Sequence, residues 1–136
     1  MTQRLPALSL LLIAPAIAPA IARAQTAPWA EYANKDGANL QVGGHLANST
    51  DMSVTGRHVA FVTTASLTAN DVNGTYNGYV RDLSAQTTRL VGEVGGVAPG
   101  GDTQWVSLSG GGRFVAFGTS ASNLGAPDAN GAHDIY

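Results

Sequence analysis

The chain has no cysteine, which excludes a disulfide framework, a zinc–thiolate site and a cysteine nucleophile. Charge is scarce: 12% of the 136 residues are Asp, Glu, Lys or Arg, about half the roughly 25% of an average globular chain. Seven basic residues against nine acidic ones leave a net charge of −2, so there is no basic footprint for nucleic acid. Past residue 24 no window holds helical periodicity over two turns, and no apolar run approaches the ~20 residues of a membrane span. His-Glu-x-x-His and Gly-x-Ser-x-Gly are missing, and no Ser/His/acid set can be assembled from spacing. Gly110-Gly111-Gly112-Arg113 is a turn rather than a phosphate cradle, because that loop needs a following Lys-Ser/Thr and a helix, and a strand pattern follows here. These absences predict no catalysis by this chain itself.

What is present begins with a targeting segment. Arg4 follows the free amine, Leu5 to Ile21 is apolar, and Ala22-Arg23-Ala24 supplies the small-x-small pattern, so residues 1–24 read as a secretory signal peptide cut before Gln25. Pro15 and Pro19 interrupt the apolar stretch and argue against a membrane anchor. Cleavage removes Arg4 and Arg23 and leaves a net charge of −4, which suits a soluble protein in the periplasm or outside the cell. Residues 25–39 read as a flexible leader, with Trp29 in it, or as the end of an earlier repeat.

An internal repeat dominates the rest. Gly56-Arg57-His58-Val59-Ala60-Phe61-Val62-Thr63-Thr64-Ala65-Ser66 recurs 56 residues later as Gly112-Arg113-Phe114-Val115-Ala116-Phe117-Gly118-Thr119-Ser120-Ala121-Ser122. After the extra Asn123 the match continues at an offset of 57, pairing Leu67 with Leu124, Asp71 with Asp128, Asn73 with Asn130, Gly74 with Gly131 and Tyr79 with Tyr136. His58–Thr63 and Phe114–Thr119 are short, β-branched and aromatic, and glycines precede them where a hairpin turn needs positive φ. Trp105–Leu108 is a further strand candidate, and Tyr79–Leu83 with Thr87–Val91 make a hairpin around Ser84-Ala85-Gln86. The fold class is all-β, in antiparallel units of about four strands, the first over about 40–95 and the second over 96–136.

Ser-x-x-Gly-Arg-aromatic-Val-Ala-Phe at Ser109 to Phe117, Ala-Ser-Asn-Leu at Ala121 to Leu124 and the Asp128 to Tyr136 segment together resemble the WD-like repeat of TolB-type β-propellers. Val80-Arg81-Asp82-Leu83 and Thr87-Thr88-Arg89-Leu90 resemble that family's outer hairpin. The resemblance covers roughly residues 40–136, with departures at Thr55 and Gly111, where the family carries Asp, and at Ala85-Gln86, where it carries Thr-Gly. It implies four-stranded propeller blades and a role as an exported, non-catalytic scaffold for a protein partner or ligand. It leaves open the propeller segment of a larger, peptidase-type hydrolase whose catalytic domain lies elsewhere. A propeller has about four to eight blades. With about two repeats, the second ending at the equivalent of Tyr79, the chain is expected to be an incomplete propeller that needs further blades or self-association to close.

Candidate binding residues are few. Asp71, Asn73 and Asn77, matched by Asp128, Asn130 and Asp134, alternate oxygen side chains around a glycine, as calcium loops do. No bidentate glutamate accompanies them, and Asx turns with Asn-Gly hairpins account for the same residues, so the turn reading is favoured over a calcium-binding surface protein. Arg57 and Arg113 recur after the turn glycine and suit either a cross-strand ion pair or a ligand contact. Arg81 and Asp82 are expected to pair with neighbours on an exposed edge. Trp105 has no aromatic counterpart, since Ser49 stands at its place in the first copy, and suits core packing or an interface anchor. His58, which aligns with Phe114, reads as a packing position, while His45 and His133 lie in loops.

Overall fold

The computed structural model describes residues 32–125, 128 and 130–136; the segment read as a signal peptide, and Trp29, lie outside them. Seven strands follow one another: β1 (Leu46–Met52), β2 (His58–Thr63), β3 (Asn77–Asp82), β4 (Thr87–Leu90), β5 (Thr103–Leu108), β6 (Val115–Thr119) and β7 (Asp134–Ile135). They form two antiparallel sheets, β1-β2-β3-β4 and β5-β6-β7. Among the described residues there is no helix, and so none long and apolar enough to cross a membrane.

The repeat in the sequence is a repeat in hydrogen bonding. Thr50, Asp51 and Met52 lie opposite Phe61, Ala60 and Val59, and Val106, Ser107 and Leu108 lie opposite Phe117, Ala116 and Val115 in the same register. Both hairpins turn through a glycine in the left-handed region, Gly56 (φ 71°) and Gly112 (φ 70°), which is the conformation that glycine adopts without a Cβ clash. Ser53 Oγ accepts from the His58 amide at 3.0 Å, and Ser109 Oγ accepts from the Phe114 amide at 3.0 Å. At the far ends, Thr63 and Thr119 each accept from the amide two residues on, at 3.1 Å. The inserted Asn123 bonds the Gly100 amide and the Ala98 carbonyl, so the extra residue ties down the link between the sheets.

Strand β2 is buried on both faces, which its unbroken apolar run foreshadows. Phe61 packs with Ala65, Leu67, Tyr79, Leu90 and Ala98 on one side, where Ala33 of the leader and Val42 just after it pack against the cluster. Ala60 and Val62 face the other way and meet Val91, which follows β4, and Val106 and Phe117 of the second sheet. The sheets come into close contact at Gly78, where an added Cβ would stand 3.0 Å from Val106 Cγ1. Phe61–Tyr79 and Phe117–Tyr136 stack alike, with ring centroids 5.9 and 5.7 Å apart.

Several sequence expectations change: β5 begins at Thr103 rather than Trp105, and β6 at Val115 rather than Phe114. Strand β3 begins at Asn77 rather than Tyr79, because Asn77 and Gly78 continue the ladder to Thr63 and Val62. Arg81 is not on an exposed edge. It is fully buried, donating to Thr88 Oγ1 at 3.2 Å, to Gln86 Oε1 at 2.9 Å and to Asn39 Oδ1. Thr88 Oγ1 donates in turn to the Lys35 carbonyl at 2.6 Å, so the β3–β4 hairpin fastens the leader across the core.

Trp105 is half-buried and lies over its cross-strand partner Gly118, where an added Cβ would come within 2.3 Å of the indole Nε1. The equivalent residues of the first sheet are Ser49 and Val62, so the small and large positions have exchanged places. Gly118→Val is therefore expected to destabilise by about 1–3 kcal/mol. Adding Trp105→Ser restores the first sheet's arrangement, and urea unfolding of the double variant should show less than the sum of the two single effects. Strict additivity would contradict this reading of the exchange.

Candidate binding groove

The three first-copy residues of the calcium-loop pattern come together around a buried carboxylate. Asp71 Oδ1 accepts from Asn77 Nδ2 at 3.0 Å and Asp71 Oδ2 accepts from the Tyr79 hydroxyl. Asn77 Nδ2 also donates to Asn73 Oδ1 at 2.8 Å, and Asn73 Nδ2 donates to the Pro99 carbonyl at 2.7 Å. The Tyr79 oxygen accepts from the Leu67 amide at 3.3 Å. Burial first, and then the bond to Asp71, pushes the Tyr79 phenol well above its ordinary value. The loop's side-chain oxygens are thus occupied by internal donors, and the cluster locks the turn to β3.

The matching residues at the end of the chain are placed differently. Asp128 Oδ1 accepts from the Asn130 amide at 3.0 Å and Asn130 Oδ1 from the Ala132 amide at 2.7 Å, both Asx turns. Asp128 Oδ2 is buried with no hydrogen-bond partner among the described residues. Asp134 lies opposite Thr119 in β7, as Asn77 lies opposite Thr63.

The two recurring arginines, in contrast, open onto one feature: a groove of about 720 Å³ between the sheets. Its walls are Val80, Leu90 and Val91 on one side and Leu108, Val115 and Phe117 on the other, with Arg57, Arg89 and Arg113 around them. Asp82 is the single carboxylate in this lining. It is already engaged: Arg57 Nε lies 3.0 and 3.2 Å from its two oxygens, Arg57 Nη2 lies 2.7 Å from Oδ2, and the Ser84 and Ala85 amides donate to Oδ1 at 2.9 Å. The Arg57 guanidinium, followed by the Ala85 amide, holds the Asp82 carboxyl well below the usual carboxylate range. His58 Nε2 stands 3.5 Å from the same carboxylate. The ion pair is partly open to water, since the Arg57 side chain is 53% exposed, so its worth for stability is small.

Arg113 has no such partner among the described residues; its guanidinium lies over the Phe114 ring, 5.1 Å from the centroid, and that ring is 66% exposed. Arg89 lies opposite Val80 in the ladder and faces the same space. The repeat singled out Arg57 and Arg113 but gave no sign of Arg89, whose wall position depends on the β3–β4 register. Trp105 lies outside the groove lining.

No protein-family model, curated protein or solved structure matches the chain.

Two outcomes follow. Tyr79→Phe strips the buried Asp71 of one donor and should cost about 1–3 kcal/mol in equilibrium unfolding, with the groove unchanged; an unaltered midpoint would show that the hydroxyl contributes nothing. The second concerns pH. Asp82 and Asp51 are both held below the ordinary value, Asp51 chiefly by the Leu108 amide and then the Met52 amide. A carboxylate with a lowered folded pKa stabilises the fold above its unfolded value, about 3.9, and loses that contribution as pH falls through the folded value. Thermal midpoints should hold steady near neutrality and fall below about pH 4, and Asp51→Asn should flatten part of that fall.

Proposed function

We propose that the chain is an exported β-propeller segment that acts as a non-catalytic binding scaffold, offering a groove between rigid sheets to a protein partner. One observation carries the reading: two sheets that share the register of three rungs stack face on face and leave between them an apolar-walled groove with two arginines, Arg89 and Arg113, unpaired among the described residues. The stacking suits blades of the TolB-type repeat that the sequence resembles, each sheet resting on the next. Sites on such scaffolds recognise by shape and charge and need no reacting group. In this reading the Asp71 cluster is a loop lock rather than a calcium site, and millimolar calcium should leave the melting temperature unchanged.

The test is made in the source organism. A photo-crosslinking residue is introduced at Phe114 or Val115 and the tagged chain is recovered from cytosolic and exported fractions. The reading expects an exported chain beginning at Gln25 and a position-specific crosslink to another protein. A cytosolic chain with residues 1–24 intact, or no crosslink at groove positions, contradicts it.

A further inference from the structure

Three asparagines in the chain precede a glycine, Asn73, Asn77 and Asn130, and the fold treats the first two in opposite ways. An asparagine in this position loses its side-chain amide when the glycine nitrogen attacks its Cγ, since glycine has no Cβ to obstruct the approach. The attack needs an available glycine N–H, a polarised side-chain carbonyl and room for the new ring. Asn77 offers no room: it is fully buried, and Gly78 packs against Val106, Thr103 and Val91. Asn73 meets all three conditions. No described residue accepts from the Gly74 amide. An added Cβ at Gly74 would find nothing within 4 Å, and Asn73 is exposed. Asn73 Oδ1 accepts from the Thr75 amide at 3.0 Å and from Asn77 Nδ2 at 2.8 Å. Two donors on one carbonyl oxygen are the arrangement that stabilises the oxyanion of acyl transfer. Asn130 lacks the second donor, because Asp134 stands at the place of Asn77.

We propose that Asn73 is a self-modifying site, which converts to aspartate or isoaspartate in the folded chain and unfastens the loop before β3 from the link between the sheets. Hydroxide takes the Gly74 amide proton, the nitrogen bonds to Asn73 Cγ, and the Cγ–Nδ2 bond breaks. The departing nitrogen takes a proton from water and leaves as ammonia. Water then opens the cyclic imide at either carbonyl, which gives aspartate or, with the chain routed through the side chain, isoaspartate. The consequence follows from what Asn73 Nδ2 holds. It donates to the Pro99 carbonyl at 2.7 Å and to Asn77 Oδ1 at 3.3 Å. Pro99 is fully buried in the link between β4 and β5. A carboxylate has no hydrogen to donate, so the contact with the Pro99 oxygen becomes repulsive. Asn77 Nδ2 also donates to Asp71 Oδ1 at 3.0 Å and is then shared between two carboxylates. Two further bonds join the same loop and link and lose their support. They run from the Thr103 amide to the Tyr76 carbonyl at 2.7 Å and from the Tyr76 amide to Asp102 Oδ1 at 3.0 Å. The proposal does not rest on the scaffold reading.

Ageing the full chain in buffer is the test. Peptide mapping by mass spectrometry follows Asn73 and Asn77 at neutral and mildly alkaline pH, and an enzymatic assay counts isoaspartate. Asn73 should convert with release of ammonia, faster as hydroxide rises, while Asn77 keeps its amide. In urea, where the fold no longer distinguishes them, the two should convert at similar rates. An Asn73 that stays intact in the folded chain, or an Asn77 that converts as fast there, overturns the proposal. The aged fraction, separated by its extra negative charge, should have a folded-to-unfolded ratio lower by about tenfold in urea titration. Its Tyr76 and Thr103 amides should exchange faster with solvent. Asn73→Asp should reproduce both changes in fresh protein. Asn73→Ser has no carboxamide to lose, so its unfolding midpoint should hold steady on ageing. An aged fraction with the stability and the Tyr76 and Thr103 exchange of fresh protein removes the unfastening and overturns the proposal as well.

Discussion

A strand at the edge of a sheet has a row of amides and carbonyls with nothing to bond, and burying that edge against a second sheet is costly unless the groups find partners. Strand β5 is such an edge, and β1 supplies the partners from side chains. Ser49 Oγ accepts from the Val106 amide at 2.9 Å and donates to the Val106 carbonyl at 3.3 Å. Asp51 Oδ2 accepts from the Leu108 amide at 2.6 Å and from Ser107 Oγ at 3.0 Å. These bonds fix where the second sheet stands against the first, and the positions of Val106 over Gly78, Phe117 over Gly92 and the walls of the groove follow from them.

The same chemistry is not repeated one sheet further on. Trp105 and Ser107 occupy the places of Ser49 and Asp51, and the indole folds down onto Gly118 where the first sheet has Val62. The second sheet therefore shares the first sheet's ladder but presents a different outer face, with Ile135 largely exposed upon it. Divergence is concentrated where the copies meet something else: the Trp105–Gly118 exchange, the unpaired Arg113, and the added Asn123 that ties the link between sheets. The serine and the glycine that shape each turn, Ser53 with Gly56 and Ser109 with Gly112, and the three ladder rungs beside them stay the same.

That pattern explains what could be read from the sequence. Strands β2 and β6, their glycine turns and the outer hairpin were legible because each depends on neighbours close in the chain. The all-β class and the cross-strand reading of Arg57 follow from the same local signals. Arg81 was misread because its burial depends on Asn39, 42 residues away, and on Gln86 and Thr88 supplying neutral acceptors where a carboxylate was expected. The packing of Ala33 and Val42 against the Phe61 cluster left no sequence signal either, since both are unremarkable singly. Arg89 entered the groove only through the register opposite Val80.

The central claim is that β1 side chains hold the second sheet in place, and amide hydrogen exchange tests it most directly. In the wild-type chain the Val106 and Leu108 amides should exchange slowly although neither has a strand partner on that side. In a Ser49→Ala, Asp51→Asn double variant those two amides should lose protection while the β2–β3 amides keep theirs. Unchanged protection of Val106 and Leu108, or a uniform loss across both sheets, would contradict the account.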